Sequence, residues 1–233
     1  MKRFVLALFM CALPSGPRAA PAGGAVVGGV VAVKNGKAVK SPQNVYVYLK
    51  QLTPHSGAYA TGVKATITQK FERFEPRVVV VPSGAIVEFP NGEPKKDLEH
   101  NVFSPGFTDG SGRFDLGRYK PKQRTGDMPT FAAPGELDIY CDIHKDMTAK
   151  VKVVDSLWIA PVVGGKFTIG GVPKGRYKVV AWAPDSREVG SDAIDVDDGG
   201  VATLPDQIHL QLGEPKRSHK RKDGSDYPPY RPQ

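Results

Sequence analysis

Residues 136–154 read ELDIYCDIHKDMTAKVKVV, and the alternation in this stretch decides the fold. Leu137, Ile139 and Cys141 fall on one side of an extended chain and Glu136, Asp138 and Tyr140 on the other. After a short loop, Ala149, Val151 and Val153 alternate with Lys150 and Lys152. Apolar residues at every second position describe two half-buried β-strands joined by a polar loop. The sulfur of Cys141 therefore points into a core, and Met147 is in phase with the apolar set of the second strand. His144 stands on the loop between them.

Working outward, the same pattern predicts further strands over residues 25–34, 44–50, 63–70, 76–81, 85–89, 166–169, 176–183 and 207–212. Turns such as Asn35-Gly36 and Asp109-Gly110 punctuate them. No segment sustains a helical period, and 26 glycines and 21 prolines in 233 residues suit an all-β chain. So many short strands are expected to form β-sandwiches. The chemistry-bearing residues cluster in residues 57–155. The hairpin GGKFTIGGVPKGRYKVVAWAPD within residues 156–213 has an apolar face of its own, with Trp158 and Trp182 expected in its core. Residues 23–56 supply the opening strands. Residues 214–233 hold six basic and three acidic residues, four prolines and fewer aliphatic groups than a core needs, and are expected to be a disordered basic tail.

The first residues, 1–22, combine Lys2-Arg3, an apolar run and an Ala-Pro-Ala site, as a cleaved signal peptide does. The chain is thus expected to be exported, to the periplasm, with no integral membrane segment. Of its two cysteines, only Cys141 survives cleavage. A lone thiol in an oxidising compartment has no disulfide partner, so it is either a buried structural thiol or held by a metal. The net charge of +8 loses Lys2, Arg3 and Arg18 with the leader, and much of the rest lies in the tail. The folded part carries no nucleic-acid footprint.

One more donor comes from a distance: His100, in HNVFS. Two imidazoles, a thiolate and a thioether make a soft donor set suited to copper in a trigonal site with a weak axial thioether. Zinc in the same ligands is a variant, and Met147 also reads as ordinary core packing. His55, His209 and His219 read as ordinary histidines, and Met128 is a poorly placed spare thioether.

HNVFS, the Cys-x-x-His-x-x-Met loop, the phrases FPN and FDLG and the order in which they occur resemble the cupredoxin family, in particular plastocyanin- and amicyanin-like proteins of the methylamine-utilisation type. The resemblance covers residues 69–154. It implies a Greek-key β-sandwich and one type 1 copper, with His100, Cys141 and His144 in the strong plane and Met147 axial. It further implies that Asn101 ties the ligand loop in place and that Phe103 and Phe131 supply an apolar surround. The flanking segments resemble the carboxypeptidase regulatory-like, transthyretin-like sandwich, interrupted by the copper domain.

The function expected is that of an exported blue copper protein passing single electrons between redox proteins, a donor and an acceptor. The alternative is a non-redox copper-binding or carrier module on a surface-interaction domain, docking through the tail or the second domain. No His-x-His pair, phosphate loop or serine elbow appears, so no enzyme is expected.

Overall fold

The computed structural model describes residues 23–52, 62–107, 111–123, 129–215 and 219–229, and no helix occurs among them. The expected leader lies outside the described residues, as do His55, Met128 and the expected boundary near residue 57. The opening segment forms β1 (Gly24–Lys34), β2 (Lys37–Ala38) and β3 (Tyr46–Gln51). The middle forms β4 (Lys64–Thr66), β5 (Thr68–Lys70), β6 (Arg73–Glu75), β7 (Val78–Pro82), β8 (Ile86–Glu88), β9 (His100–Ser104), β10 (Phe114–Tyr119), β11 (Gly135–Tyr140) and β12 (Thr148–Val154). The last part forms β13 (Ile159–Pro161), β14 (Lys166–Val172), β15 (Gly175–Trp182), β16 (Val189–Val196), β17 (Val201–Thr203) and β18 (Ile208–Gln211).

The chain is all-β and builds sandwiches. β1 pairs antiparallel with β14 and β2 and parallel with β17 and β18, while β13, β3, β15 and β16 form a second sheet in that order. Val26, Val30, Leu49, Phe167, Ile169 and Val179 fill the space between these two sheets. Close approach of the layers explains Gly28 in β1: a Cβ there would stand 2.8 Å from the Phe167 ring. This core takes residues only from chain that precedes β4 or follows β12.

The middle of the chain has a separate core. Its large sheet runs β10-β9-β11-β12-β7, with β12 parallel to β7, and two small pairs, β4-β8 and β5-β6, supply the other wall. Ile67, Phe74, Val87 and Phe89 face Val102, Leu137, Ile139, Val151 and Val153 across this core. The alternation of residues 136–154 is realised as read: Leu137, Ile139, Cys141, Ala149, Val151 and Val153 share one cluster.

The opposite face of that hairpin is not solvent. Lys150 Nζ lies 2.8 Å from Glu136 Oε1 and 3.0 Å from Asp185 Oδ1, and also pairs with Asp138, with only 14% of its side chain exposed. Lys152 pairs with Glu188 and stands over the Trp182 ring. Trp182 is buried and donates its indole N–H to Glu136 Oε2 at 3.0 Å, so it faces the middle sandwich across the seam. Tyr48, Val154 and Val180 add a small apolar cluster between the two bodies. The three carboxylates raise the Lys150 pKa against burial, which by itself would lower it.

Replacing Lys150 with Met leaves Glu136, Asp138 and Asp185 facing one another without a cation. Denaturant unfolding is expected to show a loss of about 2–4 kcal/mol, somewhat under the full penalty for breaking a buried pair because the site keeps some solvent. An unchanged midpoint would refute the seam as a source of stability.

Candidate metal centre

β9 and the loop after β11 bring the chemistry together. β9 lies between β10 and β11, with His100 opposite Tyr119 and Phe103 opposite Tyr140. The loop from Cys141 to Met147 closes on itself: Cys141 N–H donates to Met147 O at 3.2 Å, and Met147 N–H donates to His144 O at 3.1 Å. Cys141 and Met147 therefore leave and re-enter the sheet side by side, with His144 at the tip.

One ring nitrogen each of His100 and His144, with the sulfur of Cys141, forms a group within 4.8 Å of one another. His100 Nδ1 is 3.2 Å from His144 Nδ1, and the latter is 3.7 Å from Cys141 Sγ. Donors at the three corners around one ion, with metal–nitrogen and metal–sulfur bonds of ordinary length, stand about 3.5–3.7 Å apart. The spacing fits.

The proton positions point the same way. His100 Nε2 is 2.9 Å from Glu93 Oε1, and both side chains are buried. Burial alone would push the Glu93 carboxyl up, but N–H donors from Glu72 and Phe71 and the His100 ring hold it below its ordinary value. An ionised carboxylate only accepts, so the His100 Nε2–H donates to Glu93 and the Nδ1 edge of the ring faces His144. Burial, and then the neighbouring His100, lowers the His144 pKa and so favours its neutral form. Burial raises the Cys141 thiol pKa even though Sγ accepts the Ile143 N–H at 3.4 Å. Two imidazoles and a buried sulfur converge on one point, a donor set that a metal ion fits.

Asn101 spans the two segments that carry the candidate donors. Its Oδ1 accepts the Asp142 N–H at 3.2 Å, and its Nδ2 donates to Asp115 Oδ1 at 2.7 Å and Gly117 O at 3.0 Å. Met147 is fully buried in the same cluster as Cys141, and Phe131 belongs to it too. Phe103 stands elsewhere: it alternates with Val102 along β9 and packs its ring 5.8 Å from that of Tyr140, on the outer face of the sheet.

Glu93 and Asn91 were not anticipated from the sequence. Asn91 Oδ1 accepts the Glu93 N–H at 3.1 Å while its Nδ2 donates to Leu98 O and Tyr119 O, each at 3.0 Å, which fixes the loop that aims Glu93. Their signal was an acidic side chain in the loop leading to a candidate histidine ligand, since such histidines usually give their second N–H to a carboxylate or carbonyl.

The end of the chain differs from the solvated tail expected. Residues 219–229 lie against the ligand loop: His219 stacks on Tyr140 with centroids 3.8 Å apart and planes 9° apart, and the Tyr227 hydroxyl donates to Cys141 O at 2.6 Å. Arg221 and Lys222 bind Asp142. The segment needs no aliphatic core because its cations and flat rings meet complementary groups already in place.

No family model matches the sequence, and no curated protein matches it significantly. Similar solved structures include a Cu(I) form of an amicyanin variant, 22% identical, with a TM-score of 0.34 over 41% of this chain and 85% of that one. A purple cupredoxin from Nitrosopumilus maritimus is 20% identical, with a TM-score of 0.32 over 39% of this chain and 99% of its own. A copper-containing nitrite reductase from Thermus scotoductus SA-01 is 21% identical, with a TM-score of 0.37 over 54% of this chain and 28% of its own.

Replacing Asn101 with Ala leaves the Asp142 N–H and the Asp115 carboxylate without their buried partner. The expected loss is about 1–3 kcal/mol in denaturant unfolding, with faster amide exchange confined to residues 141–147. Unaltered exchange in that loop would show that Asn101 does not hold it.

Proposed function

We propose that this chain is a copper protein that carries single electrons, with His100, Cys141 and His144 as the strong ligands and Met147 as a weak fourth. The observation that carries the reading is the convergence of two imidazoles and one thiol, two of them buried, within 4.8 Å of one another. Copper, when bound, supplies the one-electron couple, and a soft thiolate with two imidazoles selects it over harder ions.

The chain's own residues hold the donors still. Glu93 orients the His100 ring, Asn101 ties β9 to the ligand loop, and the paired bonds between Cys141, His144 and Met147 keep that loop short. A loop so fixed moves little between oxidation states, which lowers the energetic cost of each transfer. His144 is the least buried of the three donors and the natural point of electron entry. The motif order of residues 69–154 agrees with this reading, and the leader-like residues 1–22 agree with a periplasmic setting. We read the outer sandwich as a carboxypeptidase regulatory-like base interrupted by the copper domain, and the redox partners as proteins.

Titration of the purified protein with Cu(II) is expected to give an intense blue thiolate-to-copper absorption saturating at one equivalent and bleaching on reduction. Cys141→Ser should abolish it. Met147→Leu should keep the colour and raise the reduction potential, because a weak donor to Cu(II) is lost. A Cys141→Ser protein that stays blue sinks the ligand assignment. A colourless complex that binds zinc as tightly as copper favours the carrier reading.

A further inference from the structure

Four residues, Asn101, Asp115, Lys222 and Asp142, close a ring of side-chain and backbone hydrogen bonds. Asn101 donates to Asp115 Oδ1 at 2.7 Å and accepts the Asp142 N–H at 3.2 Å. Lys222, from the chain end, completes it: its Nζ donates to Asp115 Oδ2 at 2.7 Å and its backbone N–H to Asp142 Oδ1 at 3.1 Å. The amide that joins the two ligand-bearing segments is thus held from outside by a residue far along the sequence.

Asp142 shows how much rests on that segment. Its side chain is 3% exposed, directly after the cysteine. Arg221 donates from Nη2 to Asp142 Oδ2 and from Nε to Asp142 O, both at 3.1 Å, whereas Arg118, from the sheet, reaches only 3.4 Å and is half exposed. Without the chain end, the Asp142 carboxylate would keep one long contact. The remaining contacts fall along the loop: Tyr227 caps Cys141 O, His219 Nε2 lies 2.7 Å from Lys145 O, and the His219 ring covers Tyr140. Every residue from Tyr140 to Asp142, and Lys145, is touched.

We infer that residues 219–229 are a strap that closes the ligand loop over Cys141, with Arg221, Lys222 and Tyr227 as positioning residues of the site. The strap acts on the loop whether or not a metal is bound; only its consequence for metal retention rests on the copper reading. Removing its contacts permits local opening that the two hydrophobic cores, which contain no residue of the strap, do not resist.

The test uses the whole chain with Arg221→Ala, Lys222→Ala and Tyr227→Phe combined, beside Lys174→Ala, which removes only a surface pair to Asp197 on the other sandwich. In metal-free protein, alkylation of Cys141 by iodoacetamide, followed by peptide mass mapping, is expected to run about tenfold faster in the triple variant and unchanged in the control, at an unaltered thermal midpoint. In copper-loaded protein, transfer to a chelator should quicken by a similar factor. Alkylation equal to the parent overturns the strap. Failure of the parent to bind copper would sink the functional reading instead, and the alkylation rates would then decide the strap by themselves.

Discussion

Asn101 has both ends of its amide engaged, and through it the strand that carries His100 is fastened to the loop that carries Cys141 and His144. Everything else about the site depends on that tie. Three donors drawn from two places in the chain stay close only if the segments cannot drift. The amide offers strand and loop a bond that water cannot replace at a buried position. Glu93 does the matching task at the other end of His100 by fixing which nitrogen faces inward.

The second body bears on the site through the sheet that carries it. β11 and β12 present their apolar face to the core that holds the candidate site and their charged face to Trp182, Asp185 and Glu188. A charged face of this kind is normally solvated, but here the carboxylates and lysines find each other across a seam, where partial burial strengthens the pairs. The strands leading into and out of the ligand loop are therefore braced on both faces.

The chain end illustrates how composition and position differ as arguments. Few aliphatic groups and many cations say that residues 214–233 lack the apolar surface of a core. They do not say whether acidic and aromatic partners lie within reach. Asp115 and Asp142, on a bulged edge strand and in the ligand loop, supply them, and Tyr140 supplies a flat surface for His219.

The sequence by itself determined the all-β architecture, the inward direction of Cys141 and the grouping of Cys141, His144 and Met147, because strand alternation and short loops are local properties. It also marked His100 and Asn101 through HNVFS. It left unassigned as strands β9, whose five residues are all buried and so show no alternation, β10, where Gly117 at φ 72° interrupts the alternation, and β16, whose acidic residues hide its register. The last two are edge strands, held by a neighbour more than by a pattern of their own. Only the tertiary structure decided that Glu93 reaches His100, that Phe103 faces outward beside Tyr140, and that Lys222 closes the ring around Asn101. Those contacts join residues whose separation along the chain carries no periodic signal, so they exist only once the sheets have fixed the distances between them.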